Sequence, residues 1–275
     1  MKRHLNLPLF LFLAAFAILA PGGGLRADSA PLRKYPGDAA PLPGTVDPRY
    51  KPSPEALEAL KTLPPLPLAA IGVVDTEGGF CTGTMVGPKL VLTAAHCVFN
   101  SFGRVRLPKR FLAGHSEDST LATAKVVEAY LPPGFSPGRF KKTIEIDGLD
   151  WALLELDQDI SRLTGIVDIA VFDRGQYKRL IGGARGFVQV GYGQEKGDRV
   201  TIRAGCGVIE AWDDNTFGHV CGTVHGDSGG PDLVFLDGRW QIIGIESAEV
   251  NTDAIEGLDV AVSARAFAGE AARLR

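Results

Sequence analysis

"CTGTMVGPKLVLTAAHCV", Cys81 to Val98, decides how the rest of this chain is read. The run "KLVLTAA" is short and apolar, and Gly87-Pro88 sets it off from what precedes, as turn residues do between strands. It ends in Thr93-Ala94-Ala95-His96-Cys97, so an imidazole follows directly on an apolar strand and is surrounded by small residues. A lone histidine is more often structural than functional. A catalytic one needs a fixed, partly open position of this kind.

Outward from this stretch, similar runs recur between Gly, Pro and Asp: "LAAIGVV", "TAKVVEAYL", "DWALLEL", "GIVDIAVF", "GFVQVGYG", "DRVTIRAGCGVIEAW", "PDLVFL", "RWQIIGIES" and "LDVAVS". Most are strand-length and prominent in β-branched residues, which predicts an all-β sandwich or barrel rather than alternating βα units. One helix is expected at the end, Ser263 to Leu274, where Ala and Arg dominate and Ser263 can cap. No internal repeat is visible. Residues 28–67 are rich in proline and charge and are expected to be a pro-segment or a surface-hugging arm, with a short helix at Pro54 to Thr62 capped by Ser53. Residues 68–275 form the domain.

The N-terminus has another purpose. Met1-Lys2-Arg3-His4 is a basic head, Leu5 to Ala20 is almost wholly apolar, and Pro21-Gly22-Gly23-Gly24 breaks the run. At about 16 residues the run is short for a membrane span of roughly 20. Residues 1–27 read as a secretory signal peptide cut after Ala27, which places the chain outside the cytoplasm, secreted or periplasmic, with no membrane anchor after cleavage. The net charge of −3 becomes −6 on cleavage, because Lys2, Arg3 and Arg26 leave with no acid, giving 26 bases against 32 acids. The bases are scattered, and no basic stripe with interleaved aromatics suggests nucleic acid.

An exported chain with four cysteines reads as a disulfide framework. Three pairings are possible. The two nearest-neighbour pairs, Cys81–Cys97 and Cys206–Cys221, are favoured, and each closes a loop of about 15 residues, contributing around 3 kcal/mol. Zinc is the rival, but the chain has no Cys-x-x-Cys pair, and the adjacent His96-Cys97 suits no familiar ligation. Calcium would need a clustered acidic loop, for which "DGLD" is too thin. No metal or cofactor is expected.

Two further pieces accompany His96. In "EIDGLDWALLEL", Asp150 stands at the mouth of an apolar run, where a carboxylate is costly unless something donates to it. A histidine N–H would serve. Asp147 competes, but lies in polar sequence and is better solvated. In "TVHGDSGGPDL", Ser228 sits among three glycines, which alone could mark a turn or a nucleophile.

The segments "LTAAHC", "DWALLEL" and "GDSGGP", in that order, resemble the trypsin/chymotrypsin-like serine peptidases, particularly their bacterial glutamyl-endopeptidase-like relatives. The resemblance spans Leu68 to the C-terminus. It implies two six-stranded antiparallel β-barrels packed face to face, with the active site between them. It also implies catalytic His96, Asp150 and Ser228, an oxyanion hole from the Gly226 and Ser228 amides, protein or peptide substrates, and a monomer. Gly-x-Ser-x-Gly also marks α/β-hydrolases, but their histidine follows the serine, and all five histidines here precede Ser228. A catalytically silent homologue acting as a binding module is the alternative, and such proteins usually lose a triad residue.

The specificity site departs from the family pattern. Gly222 stands where trypsin-like enzymes carry an aspartate, and Thr223 matches a glutamyl-endopeptidase threonine. Glu246 stands where those enzymes use a histidine. Glu246, with Glu249 and Asp259 nearby, suggests a mild preference for a basic P1 residue; if Glu246 points outward, a small or uncharged P1 is accepted instead. Ser247 matches a serine that bonds the catalytic aspartate, and His225 falls at the pocket rim. Val224 replaces a cysteine of the family's second-barrel bridge, and Cys206–Cys221 looks like the other bridge of that barrel. Asp227 needs a buried partner, supplied in many relatives by a liberated amine. No Ile-Val-Gly-Gly-like sequence follows a basic residue here, so cleavage at Arg33, Lys34, Arg49, Lys51 or Lys61, or an internal donor, must provide it.

Overall fold

Strand-length apolar runs separated by turns produce two β-halves. The computed structural model describes residues 54–275, apart from residues 101, 117–118, 143–146, 194–198 and 251–256; the signal peptide, Ser53 and most of the expected arm lie outside the described residues. Among the described residues no helix is long and apolar enough to cross a membrane.

Helix α1 (Pro54–Thr62) precedes six strands: β1 (Ile71–Asp75), β2 (Phe80–Gly87), β3 (Leu90–Thr93), β4 (Arg110–Ala113), β5 (Ala122–Tyr130) and β6 (Ala152–Leu156), with helix α2 (Pro137–Lys142) between the last two. These strands close a barrel in the order β1-β2-β3-β6-β5-β4, every pair antiparallel. The start of β5 shows the period of two that one buried face dictates: Ala122, Ala124 and Val126 are buried while Thr123 and Lys125 are exposed. Phe111, Met85, Val91 and Leu154 are fully buried in the core.

The second half carries α3 (Ser161–Thr164), β7 (Asp168–Ile169), α4 (Arg174–Lys178), β8 (Phe187–Gly191), β9 (Thr201–Cys206), β10 (Val208–Ala211), β11 (Thr216–His219), β12 (Pro231–Leu236), β13 (Arg239–Val250), β14 (Leu258–Ser263) and α5 (Ala268–Leu274). Its sheet runs β10-β11-β14-β13-β12-β8-β9, with β7 parallel to β13. The end strands β9 and β10 do not pair. They follow one another with only Gly207 between, and among the described residues the sheet is a half-barrel. With the closed barrel of the first half it gives the two barrel-like sheets expected from the sequence.

The C-terminal helix is shorter than Ser263–Leu274. Strand β14 extends through Ser263, paired with both β11 and β13, and the Arg265 amide then donates to Ser263 Oγ at 3.2 Å to open a 3-10 turn. Fully buried Phe267 and Ala271 anchor α5 after that turn. At the other end, Ala56 of α1 is buried against Gly205 of β9, and Trp240 Nε1 donates to the Pro64 carbonyl at 3.0 Å. Residues 54–67 thus rest on the second half.

Both cysteine pairs are bridged as the loop lengths favour, Cys81–Cys97 with Cα atoms 6.3 Å apart and Cys206–Cys221 with Cα atoms 5.4 Å apart.

Candidate active site

His96 lies on a 3-10 turn, Ala95–Val98, that ends β3, and the Cys81–Cys97 bridge ties this turn to β2. Asp150 stands two residues before the start of β6, the strand paired with β3, so the two residues lie at adjacent ends of neighbouring strands. The Asp150 carboxylate is fully buried and holds His96 at two points: the His96 amide donates to Oδ1 at 2.8 Å, and Nδ1 lies 2.8 Å from Oδ2. Ser247 Oγ donates to the same Oδ2. Three donors thus offset the cost of burying this charge. Asp147 is engaged otherwise, accepting from the Leu149 amide at 3.1 Å in the turn before the strand. One bond holds the His96 backbone and the other orients the imidazole; a carboxylate at Nδ1 favours the Nδ1–H tautomer, which leaves the Nε2 lone pair free. Phe140 of α2 stacks on the His96 ring, centroids 4.7 Å apart and planes 13° from parallel.

Ser228 lies in the turn before β12, in the same cleft as His96. Gly226 has φ +100°, a conformation that costs glycine little, and a Cβ there would lie 2.3 Å from the Tyr192 carbonyl oxygen. Neither the Gly226 nor the Ser228 amide donates to an acceptor among the described residues, which leaves both for a ligand. First-half residues hold the loop in place. Thr82 Oγ1 donates to the Gly226 carbonyl at 2.8 Å, its amide donates to the Ser228 carbonyl at 2.9 Å, and Oγ1 accepts from the Tyr192 amide at 2.9 Å.

Asp227 points away from the cleft mouth. Its Oδ2 accepts from the Val224 amide at 2.9 Å and lies 3.0 Å from Arg203 Nη1 of β9. Burial pushes the Asp227 carboxyl up, and the Arg203 guanidinium pulls it back only in part. The partner this aspartate requires is thus an internal guanidinium that sequence reading did not identify. In "DRVTIRAGC" nothing distinguishes Arg203 from the other arginines until the strand pairing is known.

The specificity residues divide. A cleft of about 500 Å3 beside His96 and Ser228 is lined by Thr223, His225, Glu246, Ser247 and Glu249, among others. Glu246 faces inward with 2% exposure, so the outward alternative fails, while Glu249 and His225 are exposed. Asp259 is a correction. It is fully buried, and its oxygens accept from the Cys221 and Gly222 amides at 2.9 and 2.8 Å and from Thr223 Oγ1 at 2.6 Å, so it shapes the Gly222–Thr223 wall instead of facing a substrate. Gly222 is exposed with φ +69° and does not line the cleft. A second cleft of about 630 Å3 lies on the other side of the serine, lined by Phe80, Phe99, Arg106 and Gly226 among others.

Comparison with known proteins follows this geometry. The family model described as Trypsin matches residues 68–268. A curated relative, the cercarial protease of Schistosoma mansoni, is 27% identical over 200 residues, covering 64% of this chain and 73% of the relative. Among solved structures, a Glu endopeptidase in complex with MPD superposes with a TM-score of 0.60 at 22% identity, over 76% of this chain and 90% of that one. The protease Anisep from Arthrobacter nicotinovorans superposes with a TM-score of 0.55 at 16% identity, over 75% and 97%. The two superpositions speak for the fold. The family match, which covers most of the chain and contains every motif described above, places this protein in the trypsin family of peptidases.

Proposed function

We propose that the protein is an exported serine endopeptidase working through His96, Asp150 and Ser228. The two-point hold of Asp150 on His96, beside Ser228 in an open cleft, carries this reading. Ser228 Oγ attacks the scissile carbonyl while His96 Nε2 takes its proton, and the imidazolium then gives that proton to the leaving amine. Asp150 keeps the imidazole in the required tautomer and stabilises its cation. The Gly226 and Ser228 amides receive the developing oxyanion, and losing such a donor typically costs about 3–4 kcal/mol. Water repeats the sequence to release the acyl group. Ser228 Oγ makes no hydrogen bond among the described residues, and the bond to His96 forms as substrate closes the cleft.

The cleft favours a basic P1 residue mildly, through inward Glu246 and rim Glu249. Arg203 takes the place of a liberated amine at Asp227, so the chain beginning at Asp28 is active without a further cut, as a monomer in the periplasm or outside the cell. Labelling with a serine-directed phosphonyl fluoride tests the chemistry: Ser228 reacts in wild type and nothing reacts in Ser228→Ala. An unlabelled, folded wild type would leave a binding module instead. Profiling a peptide library tests specificity, where Glu246→Gln lowers kcat/KM for Lys and Arg at P1 by about tenfold, close to 1.4 kcal/mol. An unchanged profile sinks the P1 assignment alone. N-terminal sequencing of the active form checks the activation claim.

A further inference from the structure

Behind the cleft floor, strands β11, β12 and β13 bring His219, Asp232 and Glu246 together, one ligand atom of each within 4.8 Å of the others. All three side chains are buried. Among the described residues, no group from outside the trio hydrogen-bonds to a ring nitrogen of His219 or a carboxylate oxygen of Asp232 or Glu246, although the two carboxyl groups lie close enough to share a proton. His219 Nε2 does lie 3.0 Å from Glu246 Oε1, but without hydrogen-bond alignment. Buried polar groups are normally satisfied, so a cluster of six nitrogen and oxygen atoms with no partner from outside calls for one. Among the described residues no lysine or arginine answers it: Arg203, the guanidinium of this region, is engaged by Asp227 and by Gln189 Oε1 at 2.7 Å.

We infer that His219, Asp232 and Glu246 form a binding site for one divalent transition-metal ion of the zinc class. Nε2 and one oxygen from each carboxylate give three nitrogen and oxygen ligands, and the two carboxylates balance the charge of the ion. An imidazole in the set suits zinc and disfavours calcium or magnesium, which take all-oxygen shells. Ligating imidazoles usually turn their other nitrogen to a carboxylate. Here His219 Nδ1 lies 3.7 Å from Asp259 Oδ2, on a carboxylate already anchored by backbone amides. Phe187 and Phe217 flank the ring, with centroids 5.3 and 5.8 Å from it, forming an apolar wall that strengthens electrostatic binding. Gly244 opposite Asp232 leaves the space: a Cβ there would lie 2.6 Å from the Phe217 ring and 3.1 Å from Asp232 Oδ2. Glu246 also lines the cleft, which gives the ion a route from solvent.

The test needs no peptidase activity. Untagged Ser228→Ala protein, which cannot digest itself, is stripped with a chelator and titrated with Co2+ as a spectroscopic probe. One Co2+ per chain should bind with visible ligand-field absorption and be displaced by Zn2+. Adding Glu246→Gln or Asp232→Asn should each weaken binding by more than about 100-fold, since losing even an outer-shell partner costs 10–100-fold. No stoichiometric Co2+ in the folded protein overturns the assignment and leaves the two carboxyl groups holding protons. Equal uptake by both variants overturns it too, placing the ion elsewhere. Should the variants not fold, X-ray absorption of the Co2+-loaded Ser228→Ala protein decides, because a shell without imidazole scattering excludes His219.

Discussion

The two halves of this domain bury charge differently. Among the described residues the first half holds one fully buried acid, Asp150, at its rim and with three donors. The second half holds four, Asp227, Asp232, Glu246 and Asp259, along with buried His219. Asp227 is answered by Arg203 and Asp259 by backbone amides, whereas among the described residues Asp232 and Glu246 have no donor from outside their own cluster. A closed apolar barrel can hold a base and its carboxylate rigidly at little electrostatic cost. The curled half, which holds Ser228 and the proposed specificity cleft, depends on each acid finding a partner, and its behaviour should respond more strongly to charge and pH.

Four perturbations test that contrast. The largest effect is chemical and draws on both halves. Ser228→Ala should lower kcat by about 10^6, and Asp150→Asn by about 10^4 with the fold intact; comparable small losses in steady-state assays would dissolve the triad. Next, Arg203→Met strands the Asp227 charge and should cost about 3–5 kcal/mol in denaturant unfolding. It should also slow phosphonyl labelling of Ser228, whose loop Asp227 supports. A third comparison uses the two bridges, whose loops are nearly equal in length. Replacing either cysteine pair by serine should cost about 3 kcal/mol. Loss of Cys81–Cys97 should fall on kcat, through His96, and loss of Cys206–Cys221 on KM and P1 choice, through Gly222 and Thr223. Identical kinetic signatures would show that the halves are not separately tuned.

The smallest effect is a pH slope. Burial raises the Asp227 carboxyl, so the folded protein binds this proton more tightly than the unfolded chain does. A raised carboxyl pKa contributes most to stability below the unfolded value of about 4, and the contribution fades as pH rises through the folded value. Wild type should therefore lose stability relative to Asp227→Asn as pH climbs from about 4. Parallel unfolding curves at every pH would contradict that assignment.

Contiguous motifs made the proposed triad legible in the sequence, since "LTAAHC", "DWALLEL" and "GDSGGP" each keep their residues within a short span. Equal loop lengths likewise made the cysteine pairing readable. Residues whose role depends on strand pairing were not readable in this way. Glu246 and Ser247 lie in a run buried on both faces, Trp240 to Ser247 of β13, and Asp232 in a similar run, Pro231 to Val234 of β12, so alternation could not say which way they face. Arg203 and His219 were passed over because their partners, Asp227 and Glu246, lie more than twenty residues away across the sheet. The two barrel-like sheets were readable, because short β-branched runs between turns count strands, while the closure of each sheet depends on pairing that pattern alone does not give.

Thr82 bears on how this molecule could be divided. One hydroxyl from the first half bonds both the Gly226 carbonyl and the Tyr192 amide of the second. The halves are therefore not exchangeable modules, and grafting the first barrel onto another nucleophile-bearing half would also require a threonine at this register. A chain cut in the segment between β6 and β8 has a defined reassembly problem. Its two fragments could each fold and still hydrolyse nothing until this single side chain is back in its seat.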